Sequence, residues 1–339
     1  MEEPIDVLIT LPFSDELMKK ITDVSPRITL DKIVARKPEE VSDEVWKRVE
    51  VLYTNRVVPK PEQAPSLHWI QFHWAGLDHA LDEPILHQEG VVVTNVSGAS
   101  ASQMAEHAVM MMLALGHHLP DIFAHQRRAE WPSGRWELFN PLELRGSTVG
   151  IVGYGSIGRQ IARILQTFGS TVLATKRDIR HPEDTGYIIE GLGDPEGDLV
   201  NRLYPPQAIY SMLKECDYVV VCLPRTSTTR NMVGSKELAT CKPGAYLVDI
   251  SRGEIVDHNA LIPLLREHKI AGAALDVFPT EPLPADSPLW KLPNVIITPH
   301  IAGFSPHYDE RAAELFAQNL QRYVEKLPLY NRMDSELEY

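Results

Sequence analysis

The stretch VGIVGYGSIGRQIARILQTFG constrains the fold more than any other part of the chain. An apolar run leads into three glycines in G-x-G-x-x-G spacing, Gly153, Gly155 and Gly158, and apolar residues at helical spacing follow. In such a unit the first glycine makes a tight turn, the second lets backbone approach a pyrophosphate, and the third lets the helix pack on the strand. The helix N-terminus, at Ser156 and Ile157, offers free N–H groups to the phosphates. The stretch therefore predicts a strand–turn–helix unit that binds a dinucleotide.

The segment TKRD, which ends the next strand, indicates which dinucleotide to expect. NAD-binding units usually carry an acid about 20 residues past the glycines, where it bonds the ribose 2′-hydroxyl. Here Lys176 stands at that point and Arg177 follows it. Both cations would neutralise a 2′-phosphate, and Thr175 could donate its hydroxyl to the same group. The segment favours NADP(H), whereas Asp178 leaves NAD(H) open; two solvated cations without a ligand are the remaining alternative.

The length and net charge of the chain limit the kinds of function that it can have. A chain of 339 residues suits two domains, and a net charge of −13 argues against nonspecific nucleic-acid binding. The most apolar stretch, Ala105–Gly116, is too short for a membrane span of about 20 residues and predicts a buried helix. We expect no signal peptide at the acidic start of the sequence, and Cys216, Cys222 and Cys241 have no metal-ligand spacing. Buried free thiols, a cytoplasmic location and no metal site are expected.

Short β-rich runs alternate with helical ones, which predicts parallel sheets covered on both faces. Four such runs precede a long helix that starts near Ser100, where Gln103 suggests a capping box. Six more follow: Val149–Val152, Thr171–Ala174, Tyr218–Leu223, Ala245–Ile250, Gly272–Val277 and Asn294–Thr298. The Gly- and acid-rich segment Arg180–Pro206 is interpreted as a surface excursion, Ser305–Lys326 as a helix and the last dozen residues as loosely ordered.

Three chemically competent residues follow strands of the second series. Arg252 comes after YLVDIS, Glu281 after a proline turn in AALDVFPTE, and His300 after NVIITP. Open α/β sheets bind their ligands at this carboxyl edge. The three side chains are therefore candidate catalytic residues.

These motifs resemble the D-isomer-specific 2-hydroxyacid dehydrogenases. The matching segments are GYGSIG, LPRTSTTRNMV, KPGAYLVDISRGEIVD, GAALDVFPTEPLP and LPNVIITPHIAG, with WAGLDH and MAEHAV as weaker matches. The resemblance implies an α/β protein with two Rossmann-like domains. A doubly wound cofactor domain, 101–303, would be inserted into a discontinuous, flavodoxin-like substrate domain, 1–100 and 304–339. It also implies a homodimer and an active site in the cleft between the domains.

Reduction of a 2-keto acid needs a hydride donor, a proton donor and a cation for the carboxylate. A histidine such as His300 can give the proton because imidazole titrates near neutral pH. Glu281 would orient the ring, and Arg252 would grip the carboxylate and polarise the carbonyl. The family uses Arg, Glu and His in these roles. By the same resemblance, the backbone of Gly76 and Leu77 should bind the substrate carboxylate. Further cofactor contacts are implied for Leu223, Pro224, Thr229, Ile250 and Asp276, the last facing the nicotinamide amide.

Some questions stay open at this point. The family also contains a transcriptional corepressor, so a non-catalytic dinucleotide sensor is the alternative to an NADP(H)-preferring reductase. The keto acid is not determined, although Trp74 crowds the carboxylate loop and makes glyoxylate or hydroxypyruvate the default. Pro263 is expected to kink its helix or delay its start.

Overall fold

The computed structural model describes residues 3–334 and divides into two compact units. The first unit contains the chain up to Ala99, the short piece Thr185–Tyr187 and the chain from Ser305 on. The second contains Ser100–Asp184 and Ile188–Phe304. The second unit is thus inserted, in sequence, into the first.

Twelve strands are formed in the described residues: β1 (Ile5–Ile9), β2 (Ile28–Lys32), β3 (Val51–Thr54), β4 (Trp69–Phe72), β5 (Val92–Thr94), β6 (Thr148–Val152), β7 (Thr171–Thr175), β8 (Arg202–Tyr204), β9 (Tyr218–Val221), β10 (Tyr246–Asp249), β11 (Gly272–Leu275) and β12 (Val295–Ile297). The helices of the same part of the chain are α1 (Asp15–Thr22), α2 (Asp43–Arg48), α3 (Ala101–Gly116), α4 (Leu119–Arg127), α5 (Arg135–Leu138), α6 (Ser156–Phe168), α7 (Ile209–Leu213), α8 (Ser235–Thr240), α9 (His258–Arg266) and α10 (Tyr308–Val324). Short 3₁₀ turns occupy Pro38–Glu40, Pro84–His87, Pro206–Ala208 and Pro288–Lys291.

The first unit is built on a parallel sheet with the strand order β2-β1-β3-β4-β5, which is the flavodoxin-like order. Its central strands β3 and β4 are buried along their whole length. The sequence predicted four of these strands and missed β2. That strand lies at the sheet edge and buries only Ile28 fully, so its apolar signal is weak.

The second unit is a seven-stranded parallel sheet in the order β12-β11-β10-β9-β6-β7-β8. Counted from β6, this is the Rossmann order 3-2-1-4-5-6 with one further strand beside the sixth. The strand order reverses between β6 and β9, so ligands are expected at the carboxyl ends of these two strands. The α/β class and the doubly wound cofactor domain are confirmed.

The prediction of six strands was wrong, because the seventh, β8, lies inside the segment Arg180–Pro206. That segment is not a simple surface excursion. Asp194 within it is only 2% exposed and Tyr187 only 6%. Its glycines and acids therefore serve a packed structure that the composition did not reveal.

The sequence predicted where the helices begin better than it predicted their capping hydrogen bonds. Helix α3 begins after Ser100 as expected, but the Ser100 side chain makes no capping hydrogen bond, and Gln103 Nε2 donates to Gly303 O at 3.0 Å. The predicted capping box is therefore wrong. Helix α9 starts at His258 and continues through Pro263, so its start is not delayed.

The chain after α10 is tied down as far as it is described. Asn331 donates to Asn95 O and Ser97 O, and Met333 N donates to Val93 O at 2.8 Å. The expectation of a loosely ordered tail is wrong for this part, and 335–339 lie outside the described residues. Within 3–334, no helix combines the length and apolar character that crossing a bilayer would require.

Candidate functional site

The glycine loop joins β6 to α6 and has the shape that a pyrophosphate requires. Gly153 has φ +110°, and a Cβ there would lie 2.9 Å from Leu223 Cδ2. A Cβ on Gly158 would lie 2.2 Å from Gly153 O, which explains why helix and strand can pack so closely. At Gly155 an added Cβ would meet nothing within 4 Å, so the backbone there borders open space.

The N-terminus of α6 offers donors at the same place. The N–H groups of Ser156, Ile157 and Gly158 donate to no acceptor in the part of the chain that the structure describes, and no side chain caps the helix. Oriented free N–H groups at a helix N-terminus bind phosphate. The loop therefore fits a dinucleotide, as the glycine spacing predicted.

Two of the predicted cofactor residues each support a loop from within the protein, Thr175 the glycine loop and Thr229 the loop after β9. The Thr175 hydroxyl, on a side chain 4% exposed, accepts a hydrogen bond from Gly153 N at 3.0 Å. Thr229 Oγ1 donates to Pro224 O at 2.7 Å and accepts from Thr226 N at 2.8 Å, which fixes the loop after β9. Ile250 is 2% exposed and belongs to the core. Direct cofactor contacts for these residues stay predictions.

The two cations that follow β7 differ in their exposure to solvent. Lys176 is half-buried, and burial together with the nearby Arg159 lowers its pKa. Arg177 is exposed. Asp178, the acid that left NAD(H) open, accepts from Arg180 N at 3.0 Å and from His181 Nδ1 at 2.7 Å. No acidic residue stands at the end of the strand itself.

A buried network that the sequence did not predict connects the glycine loop to the segment before β8. Tyr154 in the loop donates its hydroxyl to Asp194 Oδ2 at 2.5 Å, and the Asp194 carboxylate also accepts from three backbone N–H groups. Arg159, 1% exposed, donates to the backbone oxygens of Asp194 and Pro182. Its Nε lies 3.4 Å from Asp184 Oδ2, an ion-pair distance without hydrogen-bond geometry. The only sequence signal was an acid between Gly193 and Pro195.

The predicted catalytic pair is formed. His300 Nδ1 lies 2.7 Å from Glu281 Oε2, and Glu281 Oε1 accepts from Phe278 N at 3.0 Å. The carboxylate is thus fixed by the chain that leaves β11. The two side chains are 44% and 36% exposed, so the ring Nε2 side remains accessible to a substrate. The arrangement can hold a proton-donating imidazole in one orientation.

Asp276 holds the loop that carries His300. Its carboxylate accepts from Thr298 Oγ1 at 2.6 Å and from the N–H groups of Ile301 and Ala302 at 2.9 Å. His300 itself has φ +53°, a left-handed conformation that a non-glycine residue rarely adopts, and its N–H donates to Asp276 O at 2.9 Å. Asp276 therefore supports the loop of the predicted catalytic histidine, and its contact with the nicotinamide amide stays a prediction.

Arg252 follows β10 after a turn that a buried acid stabilises. Asp249 ends the strand, is 0% exposed, and accepts from Ser251 N at 3.0 Å and from the Ser251 hydroxyl. Burial, opposed by the Ser251 hydrogen bonds and assisted by the Asp276 charge, raises the pKa of Asp249 to about 7. Arg252 is half-buried, and its Nη1 donates to Ser251 O at 2.9 Å. The guanidinium therefore starts from a fixed turn at the carboxyl edge of the sheet.

The predicted carboxylate loop follows β4 in the first unit. The N–H groups of Trp74, Ala75, Gly76 and Leu77 donate to no acceptor within residues 3–334. Four consecutive backbone donors of this kind can bind an anion. Trp74, 41% exposed, packs on Tyr308 with ring centroids 5.5 Å apart. An aromatic surface thus adjoins the free N–H groups.

The three cysteines are free, and burial raises the pKa of each thiol. The described residues contain no cluster of three or more His, Cys, Asp or Glu side chains arranged to hold a metal ion.

Known proteins resemble this chain over nearly its full length. Residues 109–302 match the family described as "D-isomer specific 2-hydroxyacid dehydrogenase, NAD binding domain". A glyoxylate reductase of Thermococcus litoralis is 34% identical over 308 residues, or 90% of this chain and 82% of that protein. The D-3-phosphoglycerate dehydrogenase of Methanocaldococcus jannaschii is 29% identical over 94% of this chain and 57% of that protein.

A solved structure agrees with the fold. The D-isomer specific 2-hydroxyacid dehydrogenase from Xanthobacter autotrophicus Py2, in complex with NADPH and MES, has a TM-score of 0.79 and 25% identity, with 100% of both chains covered. All three of these relatives are dehydrogenases or reductases by name, and none supports the corepressor alternative. The resemblance found in the motifs is confirmed, and the chain belongs to the family of D-isomer specific 2-hydroxyacid dehydrogenases, which are NAD(P)-dependent oxidoreductases.

Proposed function

We propose that this protein reduces a small 2-keto acid to the D-2-hydroxy acid and prefers NADPH to NADH. The proposal rests above all on the His300–Glu281 pair, whose Nδ1 and Oε2 atoms lie 2.7 Å apart in the unit that also carries the Rossmann glycine loop. Glyoxylate and hydroxypyruvate are the substrates to test first. The large side chain of Trp74 stands in the carboxylate loop, where it packs on Tyr308, and a relative is named glyoxylate reductase.

Apart from the hydride, each requirement of the reduction is met by a residue of this chain. Bound NADPH supplies the hydride that reduces C2 of the keto acid. His300 donates a proton to the carbonyl oxygen, and Glu281 keeps the ring oriented and stabilises the charged imidazole that precedes the transfer. Arg252 binds the carboxylate with two hydrogen bonds and polarises the carbonyl. The N–H groups of Gly76 and Leu77 bind the carboxylate as well. One keto acid, one NADPH and one proton thus give the hydroxy acid and NADP⁺.

The preference for NADPH follows from the end of β7. Lys176 and Arg177 occupy the positions directly after the strand, and Asp178 is engaged by Arg180 and His181. A 2′-phosphate would therefore meet two cations and no free carboxylate. The similar protein from Xanthobacter autotrophicus Py2 was crystallised with NADPH, which supports the same choice.

We also propose a homodimer in the cytoplasm, with the second unit binding the cofactor and the first the substrate. The region α3–α5 exposes several large apolar side chains: Met110, Ile122, Phe123, Trp131, Trp136 and Leu138. A patch of this kind usually marks a protein interface. A second copy of the chain is the partner that the family suggests.

The test is a pair of activity and binding measurements on the full chain. NADPH oxidation with glyoxylate or hydroxypyruvate should be rapid, and His300→Ala should lose about 100- to 10,000-fold in turnover while NADPH still quenches protein fluorescence. Lys176→Ala/Arg177→Ala should weaken NADPH binding about tenfold or more and leave NADH binding unchanged. Undiminished turnover in His300→Ala would refute the catalytic assignment, and equal binding of both cofactors by the unaltered protein would refute the preference.

A further inference from the structure

The acidic residue nearest to the end of β7 holds a histidine. Asp178 Oδ2 lies 2.7 Å from His181 Nδ1, and Asp178 Oδ1 accepts from Arg180 N at 3.0 Å. Both oxygens are therefore used inside a turn that brings residue 181 back beside residue 178. An acid that would otherwise repel a 2′-phosphate, or bond a ribose hydroxyl, serves to position an imidazole.

The hydrogen bond also fixes which ring nitrogen carries the proton. The hydrogen bonds from His181 and Arg180 lower the pKa of Asp178, so its carboxylate is ionised at neutral pH and can only accept. His181 Nδ1 must then be the donor. In the neutral ring Nε2 is a bare lone pair, and it becomes an N–H donor only when the imidazole is protonated.

The charges around His181 favour the protonated ring. The charged groups that act on the pKa of His181 are Asp178, which is hydrogen-bonded to the ring, and Glu183 and Lys176. Asp178, by its hydrogen bond and its charge, raises the pKa of His181, as does Glu183, while a slight desolvation of the ring and the charge of Lys176 oppose the rise. His181 is bonded to Asp178, two residues after Lys176, so its ring belongs to the same segment that follows β7. The side chain of His181 is 79% exposed, so its Nε2 is open to a ligand.

We propose that His181, oriented by Asp178, is a third ligand of the 2′-phosphate of NADPH beside Lys176 and Arg177. This inference rests on the proposed preference for NADPH and deepens it. A phosphate monoester carries close to two negative charges at neutral pH and binds several donors at once. The protonated imidazole adds one charge and one donor, whereas the neutral ring with Nδ1–H bound to Asp178 turns a lone pair towards the phosphate. The contribution of His181 is therefore present at low pH and disappears as pH rises through the raised pKa of the ring.

The experiment compares binding of NADPH and NADH to the full chain between pH 6 and pH 8.5 by fluorescence titration. The variants are His181→Gln and Asp178→Asn. The matched control is His307→Gln, because His307 Nδ1 bonds Glu310 at the same three-residue spacing in the other unit. The 2′-phosphate itself titrates near pH 6, but the unaltered protein and its variants share that effect, so it does not account for a difference between them.

The expected result is a steeper loss of NADPH affinity with rising pH in the unaltered protein and in His307→Gln than in His181→Gln, by about three- to tenfold over this range. NADH binding should show no such difference. Asp178→Asn should move the loss to lower pH, because the histidine loses the charge that favours its protonated form. A uniform gain in NADPH affinity for Asp178→Asn, with an unchanged slope, would mean that Asp178 only repels the phosphate and would overturn the proposal.

Superimposable profiles for His181→Gln and the unaltered protein would also overturn it. That outcome differs from failure of the proposed function, in which the unaltered protein would bind NADPH no more tightly than NADH at any pH.

Discussion

Replacement of Asp249 by Asn should stabilise the protein at neutral and alkaline pH. Asp249 is fully buried at the end of β10, and its Oδ2 has no hydrogen-bond partner in the described part of the chain. Burial and the Asp276 charge raise its pKa from 3.8 to about 7. Between pH 3.8 and about pH 7, the native protein therefore keeps a proton on Asp249 that the unfolded chain has already lost.

The size and sign of this stabilisation follow from the linkage between proton binding and folding. The unfolded chain ionises Asp249 above pH 3.8, whereas the folded protein does so only near pH 7, so folding is penalised increasingly between these values and by a constant amount above them. The full penalty is about 4 kcal/mol at 1.36 kcal/mol for each pH unit between the two pKa values. Between pH 5 and pH 8 the free energy of unfolding of Asp249→Asn should rise relative to the unaltered protein by about 2.5 kcal/mol.

Asn suits this test because it has the shape of the neutral acid. Its Oδ1 can still accept from Ser251, so the turn before Arg252 should persist. Urea unfolding at pH 5, 6, 7 and 8, monitored for the second unit, gives the pH dependence for both proteins. Asp286→Asn, at an exposed position, controls for the loss of a charge. Parallel stability curves for Asp249→Asn and the unaltered protein would show that Asp249 is ionised in the native state, and the argument from burial would be wrong.

Three further predictions concern the catalytic pair, the buried network and the exposed patch. Glu281→Gln should lower kcat about 10- to 100-fold without weakening NADPH binding, because the amide cannot stabilise a charged His300; an unchanged kcat in stopped-flow reduction would contradict this role. Asp194→Ala should destabilise the second unit by about 2 to 4 kcal/mol because it abandons four donors, whereas Tyr154→Phe removes one hydrogen bond and should cost about 1 kcal/mol; equal effects in urea unfolding would argue against a shared acceptor. Trp136→Lys, at a side chain 74% exposed, should halve the mass measured by sedimentation because it alters the proposed dimer contact; turnover is monitored in parallel, and an unchanged mass would contradict that contact.

The sequence predicted the parts of the fold that depend on local pattern. Glycine spacing, a preceding apolar strand and an amphipathic helix are sufficient to predict the turn at Gly153, because each glycine answers a steric requirement that another residue cannot meet. The strand ends placed Arg252, Glu281 and His300 at one edge of a parallel sheet, and the structure does bring Glu281 and His300 into contact. Short edge strands such as β2 and β8 were missed because three to five residues with one buried face carry little periodic signal.

What the sequence could not give was the partner of each buried polar group. Asp194 stands in a segment whose glycines and prolines indicate only a loop, yet it accepts hydrogen bonds from a tyrosine 40 residues earlier in the chain and from three following N–H groups. The contact of Asp276 with the nicotinamide amide stays a prediction, but the sequence did not reveal that its two oxygens hold the chain around His300. These roles arise because burial makes an unpaired carboxylate costly, so its partners are chosen by proximity in the fold. Asp178 is exposed, so the local turn and not burial pairs it with His181, and this hydrogen bond underlies the proposed role of His181 in binding the 2′-phosphate.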